Sequence, residues 1–180
     1  MEFVTITDQA KRAIASLCKE TVVVEYDMIL NYPRIIDHII NFEKIEDQQL
    51  VKDIDKLGKE SLGHFTKMDE LIRNLGDDMA WLPSTLPRLV GVVYILDQQL
   101  EKEKTVLDIY KEARKIAIAN KTTAKVGGFF SRLKGIDISE HNIVLFDKLI
   151  NDLDRLISDE ERHIRVVEDS TATCRTLKNR

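Results

Sequence analysis

Four stretches of this chain repeat apolar residues at alternating intervals of three and four, and each series turns polar near its middle. Such spacing follows the 3.6-residue period of a helix that buries one face. In the second stretch the series is Leu50, Ile54, Leu57, Ser61, His64, Met68, Leu71 and Leu75. In the third it is Leu89, Val93, Leu96, Leu100, Glu103, Leu107, Tyr110 and Ala113 or Ala117, and in the fourth Leu149, Leu153, Leu156, Glu160, His163 and Val167. The first runs Ile14, Leu17, Thr21, Val24, Met28, Ile35 and Ile39, with Glu25 and Tyr32 on the same side. Four long amphipathic helices close around a shared core as a four-helix bundle, an all-α fold. Carboxylates and imidazoles in that core need a neutralising partner, because an unpaired buried charge costs several kcal/mol.

Local signals set the expected boundaries. The first helix starts at Thr7, with Asp8 in its first turn and a kink expected at Pro33. The second runs from about Asp47 to Leu75 and stops at Gly76. Residues 77–85, with Trp81 and Pro83, read as the crossover between two helix hairpins, and the third helix spans about Leu86 to Asn120. Residues 121–138, with Gly127-Gly128-Phe129-Phe130 and Gly135, read as a loop or short helical excursion whose phenylalanines cap the bundle end. Ser139 caps the fourth helix, and Ser170 to Arg180 reads as a polar, frayed tail. The 180 residues form one expected domain, with a core of about 8–168.

Composition narrows the function classes. A formal net charge of −4 gives no electrostatic support for nucleic-acid binding. No apolar run approaches the roughly 20 residues that span a bilayer, and the N-terminus lacks the pattern of a signal peptide. Cys18 and Cys174 lie far apart and form no CxxC, so the expectation is two free thiols in a cytoplasmic protein.

The polar intruders form a pattern of their own. Glu25 and Tyr32, and Glu103 and Tyr110, are seven apart, two turns along one helix face. Glu160 and His163 are three apart and share a face. One imidazole per metal with several carboxylates, some bridging, is a donor set for two divalent ions. Tyr32 and Tyr110 can donate hydrogen bonds to the carboxylates and orient them.

These residues resemble the ferritin-like superfamily, most closely its bacterioferritin and rubrerythrin-type branches. The resemblance is carried by Glu25 and Tyr32, His64, Glu103 and Tyr110, and Glu160 with His163, within roughly residues 8–168. It implies a ferritin-like bundle with two long hairpins and a long crossover. It also implies two irons, or iron with manganese, reacting with O2 or peroxide, and a dimer or larger homo-oligomer. The implied ligands are Glu25, His64, Glu103, Glu160 and His163. The family carries Glu three residues before the second-helix His, where this chain has Ser61. Glu60 is the expected substitute, swung inward by a π-bulge between Gly58 and Gly63. Leu62 stands where bacterioferritins carry Met, so no haem is implied. The expected function is a di-metal carboxylate oxidoreductase that oxidises Fe(II) or reduces O2 or peroxide. The alternative is a metal-poor bundle acting as a binding or structural module.

Overall fold

The computed structural model describes residues 6–79, 91–132 and 139–178. Four helices account for nearly all of them: α1 (Ile6–Asp37), α2 (Gln48–Asn74), α3 (Val92–Arg132) and α4 (Ser139–Lys178). Among the described residues there is no strand.

Ion pairs and hydrogen bonds between helices fix their directions. Lys19 pairs with Asp77 and Glu25 meets His64, so α1 and α2 are antiparallel. Asp97 pairs with Arg175 and Lys111 with Glu161, so α3 and α4 are antiparallel. Tyr110 bonds Glu25 and Tyr32 bonds Glu103, so α3 also runs against α1. Lys67–Asp152 and Lys148–Glu70 set α4 against α2 in the same way. α2 and α3 therefore run parallel, and the chain between Asn74 and Val92 returns from one end of the bundle to the other. The return is about 40 Å for a 27-residue helix, and the intervening residues, at up to roughly 3.3 Å each, can span it. The expected crossover residues Trp81 and Pro83, and Leu89 of the expected third-helix seam, lie outside the described residues.

Helix ends follow local chemistry. Asp47 caps α2 by accepting from the N–H groups of Gln49 and Leu50, both at 3.0 Å. Gly76 closes the other end of α2 at a positive φ of 79°, where a side chain is disfavoured. Its N–H bonds Arg73 O at 3.0 Å and that of Asp77 bonds Ile72 O at 3.1 Å, which satisfies the last carbonyls. α1 passes through Pro33 and widens afterwards into a π-helical turn at His38–Phe42.

The seams of α1, α2 and α4 are buried largely as the spacing predicts. Leu17 and Val24 of α1 are only partly covered, while Cys18, Val22 and Glu25 are inside. In α3 the buried line runs through Val92, Ile95, Gln99, Glu103 and Val106, so Val93 and Leu100 sit at its edge. α3 is apolar on more than one side, so the spacing alone left its rotation open, and a fully buried Gln99 results.

Two boundaries differ from expectation. α3 continues past Asn120 to Arg132. Asn120, Thr122 and Thr123 bond back to the carbonyls of Ile116, Ile118 and Ala119, so these polar groups are satisfied without leaving the helix. The expected contacts of Phe129 and Phe130 lie outside the described side chains. The tail from Ser170 is also not frayed, because α4 runs to Lys178 with Ser170, Thr171 and Cys174 buried. Arg175 holds Asp97 at 2.9 Å and Lys178 holds Glu43 at 2.6 Å, tying the last turns to α3 and to the end of the first hairpin arm.

Candidate metal centre

The polar intruders of all four seams converge in one layer. Glu25, Glu103, Glu160 and His163 are fully buried, and His64 is 5% exposed. The His64 and His163 rings stack with centroids 5.0 Å apart and planes 20° from parallel. His64 Nδ1 lies 3.2 Å from Glu25 Oε1 and 2.8 Å from Glu160 Oε1. His163 Nδ1 lies 3.3 Å from Glu103 Oε2 and 3.9 Å from Glu160 Oε2. Each Nδ1 thus faces one carboxylate of its own and one oxygen of Glu160, which stands between the two. The ligand atoms of His64, Glu160 and His163 all lie within 4.8 Å of one another.

The tyrosines two turns along complete a pseudo-two-fold. Tyr110 Oη donates to Glu25 Oε1 at 3.1 Å, and Tyr32 Oη donates to Glu103 Oε1. Each tyrosine therefore crosses to the glutamate of the other helix. Burial and the nearby carboxylates push both phenols well above their ordinary range, so both stay protonated donors.

A second, half-exposed layer covers the outer ring nitrogens. Glu60 Oε2 lies 3.1 Å from His163 Nε2, and Asp159 Oδ2 lies 3.6 Å from His64 Nε2. Arg162 bonds both carboxylates at 2.8 Å. This corrects the expectation of a π-bulge at Glu60. α2 is α-helical throughout Gln48–Asn74, with no π-bulge, and Ser61 is the buried member of the pair. Glu60 uses its own length to reach the Nε2 side of His163, opposite the Nδ1 side where Glu103 and Glu160 gather. His163 thus has a carboxylate at each ring nitrogen, Glu60 at Nε2 and Glu103 at Nδ1; with its proton on Nε2 the Nδ1 lone pair is free for a cation. Asp159 and Arg162 were not singled out in the sequence, because the run Asp159-Glu160-Glu161-Arg162 resembles a solvated face. Of its members only Glu160 is buried.

Charge in this layer is unbalanced. The ion pairs of Glu25, Glu103 and Glu160 among the described residues are all with the two histidines. Burial pushes the Glu160 carboxyl up to about 10, with Glu103 and Glu25 adding to the push against the pull of His64. Burial also raises Glu25. For Glu103 burial is outweighed by His163, Glu160 and Tyr32, which hold it below the ordinary carboxylate range. Burial alone would lower His64, yet Glu160 and Glu25 hold it up at about 10. Protons in this layer therefore do the neutralising that cations can do.

His64, Glu160 and His163 form a buried group that could hold a metal ion. Neither oxygen of Glu160 has a hydrogen-bond partner among the described residues; the 2.8 Å approach of His64 Nδ1 lacks the alignment of one. Glu25 Oε2 and Ser61 Oγ are also buried and unpartnered. A single ring nitrogen carries at most one proton, which two carboxylates here must share. One imidazole nitrogen facing two carboxylate oxygens, twice over, is a cradle for cations that prefer oxygen and imidazole.

Comparison with known proteins yields no match: no family model, no curated protein and no solved structure is significantly similar to this chain. The functional reading therefore rests on the residues themselves.

Proposed function

We propose that this chain is a ferritin-like di-metal carboxylate protein that holds two irons, or iron with manganese, and oxidises Fe(II) or reduces O2 or peroxide. The observation that carries the reading is Glu160, a fully buried carboxylate whose two oxygens face the two imidazole Nδ1 atoms and make no hydrogen bond. Glu25, His64 and one oxygen of Glu160 would hold one ion; Glu103, His163 and the other oxygen would hold its neighbour. When bound, the pair supplies the redox chemistry, two Fe(II) yielding two electrons to O2 or peroxide. The protein's own part is positioning. Tyr32 and Tyr110 fix the rotamers of Glu103 and Glu25 through hydrogen bonds. Glu60 and Asp159 orient the imidazoles from outside, and Arg162 holds that pair in place. The closed core keeps bulk water from the reacting centre.

The test is anaerobic Fe(II) titration of metal-free protein followed by O2 uptake. The proposal expects two Fe(II) per chain and O2 consumption that Glu160→Ala and His163→Ala abolish. Binding of less than one Fe(II) per chain, or uptake unaffected by both substitutions, would refute it. One feature favours a second reading, a metal-poor bundle serving as a binding module: Ser61 occupies a buried position where a further carboxylate would strengthen the site. Elemental analysis of purified protein with far less than one metal per chain would support that alternative.

A further inference from the structure

The outer layer of the centre repeats the internal two-fold and breaks it at one place. Glu60 stands four residues before His64 on α2, and Asp159 four before His163 on α4. Each crosses to the imidazole of the other helix, Glu60 to His163 Nε2 at 3.1 Å and Asp159 to His64 Nε2 at 3.6 Å. The residue before His163 is Arg162, whose guanidinium bonds both carboxylates at 2.8 Å. The residue before His64 is Gly63, which has no side chain, and a Cβ added there would meet nothing within 4 Å. The cover is therefore one-sided, and exposure follows it. Glu25, Glu103, Glu160 and His163 are fully buried; His64, at 5%, is the only one of the five donors that solvent reaches. Its outer partner is also the looser one. The Asp159 side chain is 44% exposed and stands beyond hydrogen-bond distance, whereas Glu60 is 27% exposed and bonds His163. Glu160 is shared, 2.8 Å from His64 Nδ1 and 3.9 Å from His163 Nδ1, so the His163 half is not the more enclosed on its account. What encloses it lies outside the ring.

We infer that the two metal positions are unequal in exchange: the position beside His64 trades divalent cations with solvent, and the position beside His163 retains its ion. The inference rests on the two-metal reading above and gives each half its own part in it. A bound ion leaves when water or another ligand replaces its donors one by one. Each replacement needs a solvent path to a donor and freedom for that donor to turn away. His64 has both, because solvent touches its ring and no hydrogen bond holds its outer nitrogen. His163 has neither, because its ring is enclosed and its outer nitrogen is bonded by Glu60, which Arg162 holds in turn. The His64 half is thus where Fe(II) enters as substrate, and the His163 half carries a resident ion. The step is ligand exchange, with no change of oxidation state.

Cobalt(II) and a chelator test this without any redox step, because the visible absorption of bound Co(II) reports its loss. Metal-free protein is loaded with one or two equivalents of Co(II), equilibrated, and mixed with excess EDTA. Two equivalents are expected to leave in two phases of equal amplitude, with rates about tenfold or more apart, the scale on which outer partners act on a metal. One equivalent is expected to leave in the slow phase alone. His64→Ala should keep only the slow ion, and His163→Ala only the fast one. Gly63→Arg, at an exposed position of α2, supplies the missing half of the cover, so it should slow the fast phase and leave the slow one unchanged. The one-equivalent experiment and Gly63→Arg remove no ligand, so they decide the question even where a histidine variant binds no Co(II). Two Co(II) released in a single phase, or one equivalent divided between the phases, would overturn this inference and leave the two-metal reading standing. A fast phase that survives His64→Ala would do the same. An unchanged fast phase in Gly63→Arg would overturn the one-sided cover as its cause. Absence of Co(II) binding by the wild type would overturn both readings.

Discussion

Replacing Glu160 by Gln should stabilise the metal-free protein and weaken the metal-bound one, a reversal that few other accounts produce. In the unfolded chain this carboxyl titrates near 4.5, whereas burial holds it at about 10 in the fold. At pH 7 the folded state keeps a proton that the unfolded state has released. Holding it two and a half pH units above 4.5 costs about 3 kcal/mol, at roughly 1.4 kcal/mol per unit. Glutamine is neutral in both states and carries no such cost. The metal-free variant should therefore be more stable by about 3 kcal/mol at pH 7, or roughly 6–12 °C in Tm for a chain of this size. The difference should shrink toward zero as the pH approaches 4.5. With metal present the order inverts. The wild type gains stability by mass action, about 2.7 kcal/mol when free metal is 100 times Kd. The variant has lost the bridging charge and gains less. Thermal melts of both proteins, with EDTA and with Zn(II) or Fe(II), from pH 5 to 8, give all four comparisons. A metal-free variant no more stable than wild type at pH 7, or one that keeps the full metal-induced rise, would refute the buried-bridge reasoning.

Metal-free wild type should lose stability as pH rises from about 6.5 to 10. His64 and Glu160 both bind their protons more tightly folded than unfolded, so the stability His64 contributes fades over that window while the Glu160 penalty, which begins near pH 4.5, goes on growing to about pH 10. Metal binding at pH 7 should then release those protons, which calorimetry in buffers of different ionisation enthalpy would register; no buffer dependence would count against it. Tyr110→Phe removes the hydrogen bond to Glu25 but keeps the ring, so metal affinity should fall about 10–100-fold, measured by competition with a chelating dye. Unchanged affinity would show that the phenol is only filling space. Gly58→Ala places a Cβ 3.1 Å from Tyr32 Cβ, an atom too close to the backbone to step aside, and should cost about 1–3 kcal/mol in chemical denaturation. A neutral result would mean that α1 and α2 have slack at that contact.

The helices were legible because their seams repeat faithfully, and the ligand layer was legible because its members replace hydrophobes in those seams. Glu25, His64, Glu103, Glu160 and His163 all prove buried and adjacent. Glu60 was harder. Its position one residue off the seam suggested a backbone distortion, yet a long side chain beside a regular helix reaches an imidazole without one. The length of α3 and the order of α4 beyond Ser170 were hidden for a different reason. They depend on partners far away in sequence, such as Asp97 for Arg175 and Glu43 for Lys178, and on polar side chains folding back on their own carbonyls. Spacing along one helix carries no record of either. The Ser61 gap was visible in the sequence as a departure, but its burial without a hydrogen-bond partner needed the three-dimensional arrangement.

The most direct measurement is a crystal soaked in Fe(II) under anaerobic conditions, with anomalous differences collected on either side of the iron edge. Two peaks flanking the Glu160 carboxylate, one beside His64 Nδ1 and the other beside His163 Nδ1, are the predicted outcome. A map with no peak in this layer at full Fe(II) soaking would contradict the claim that cations balance these buried acids.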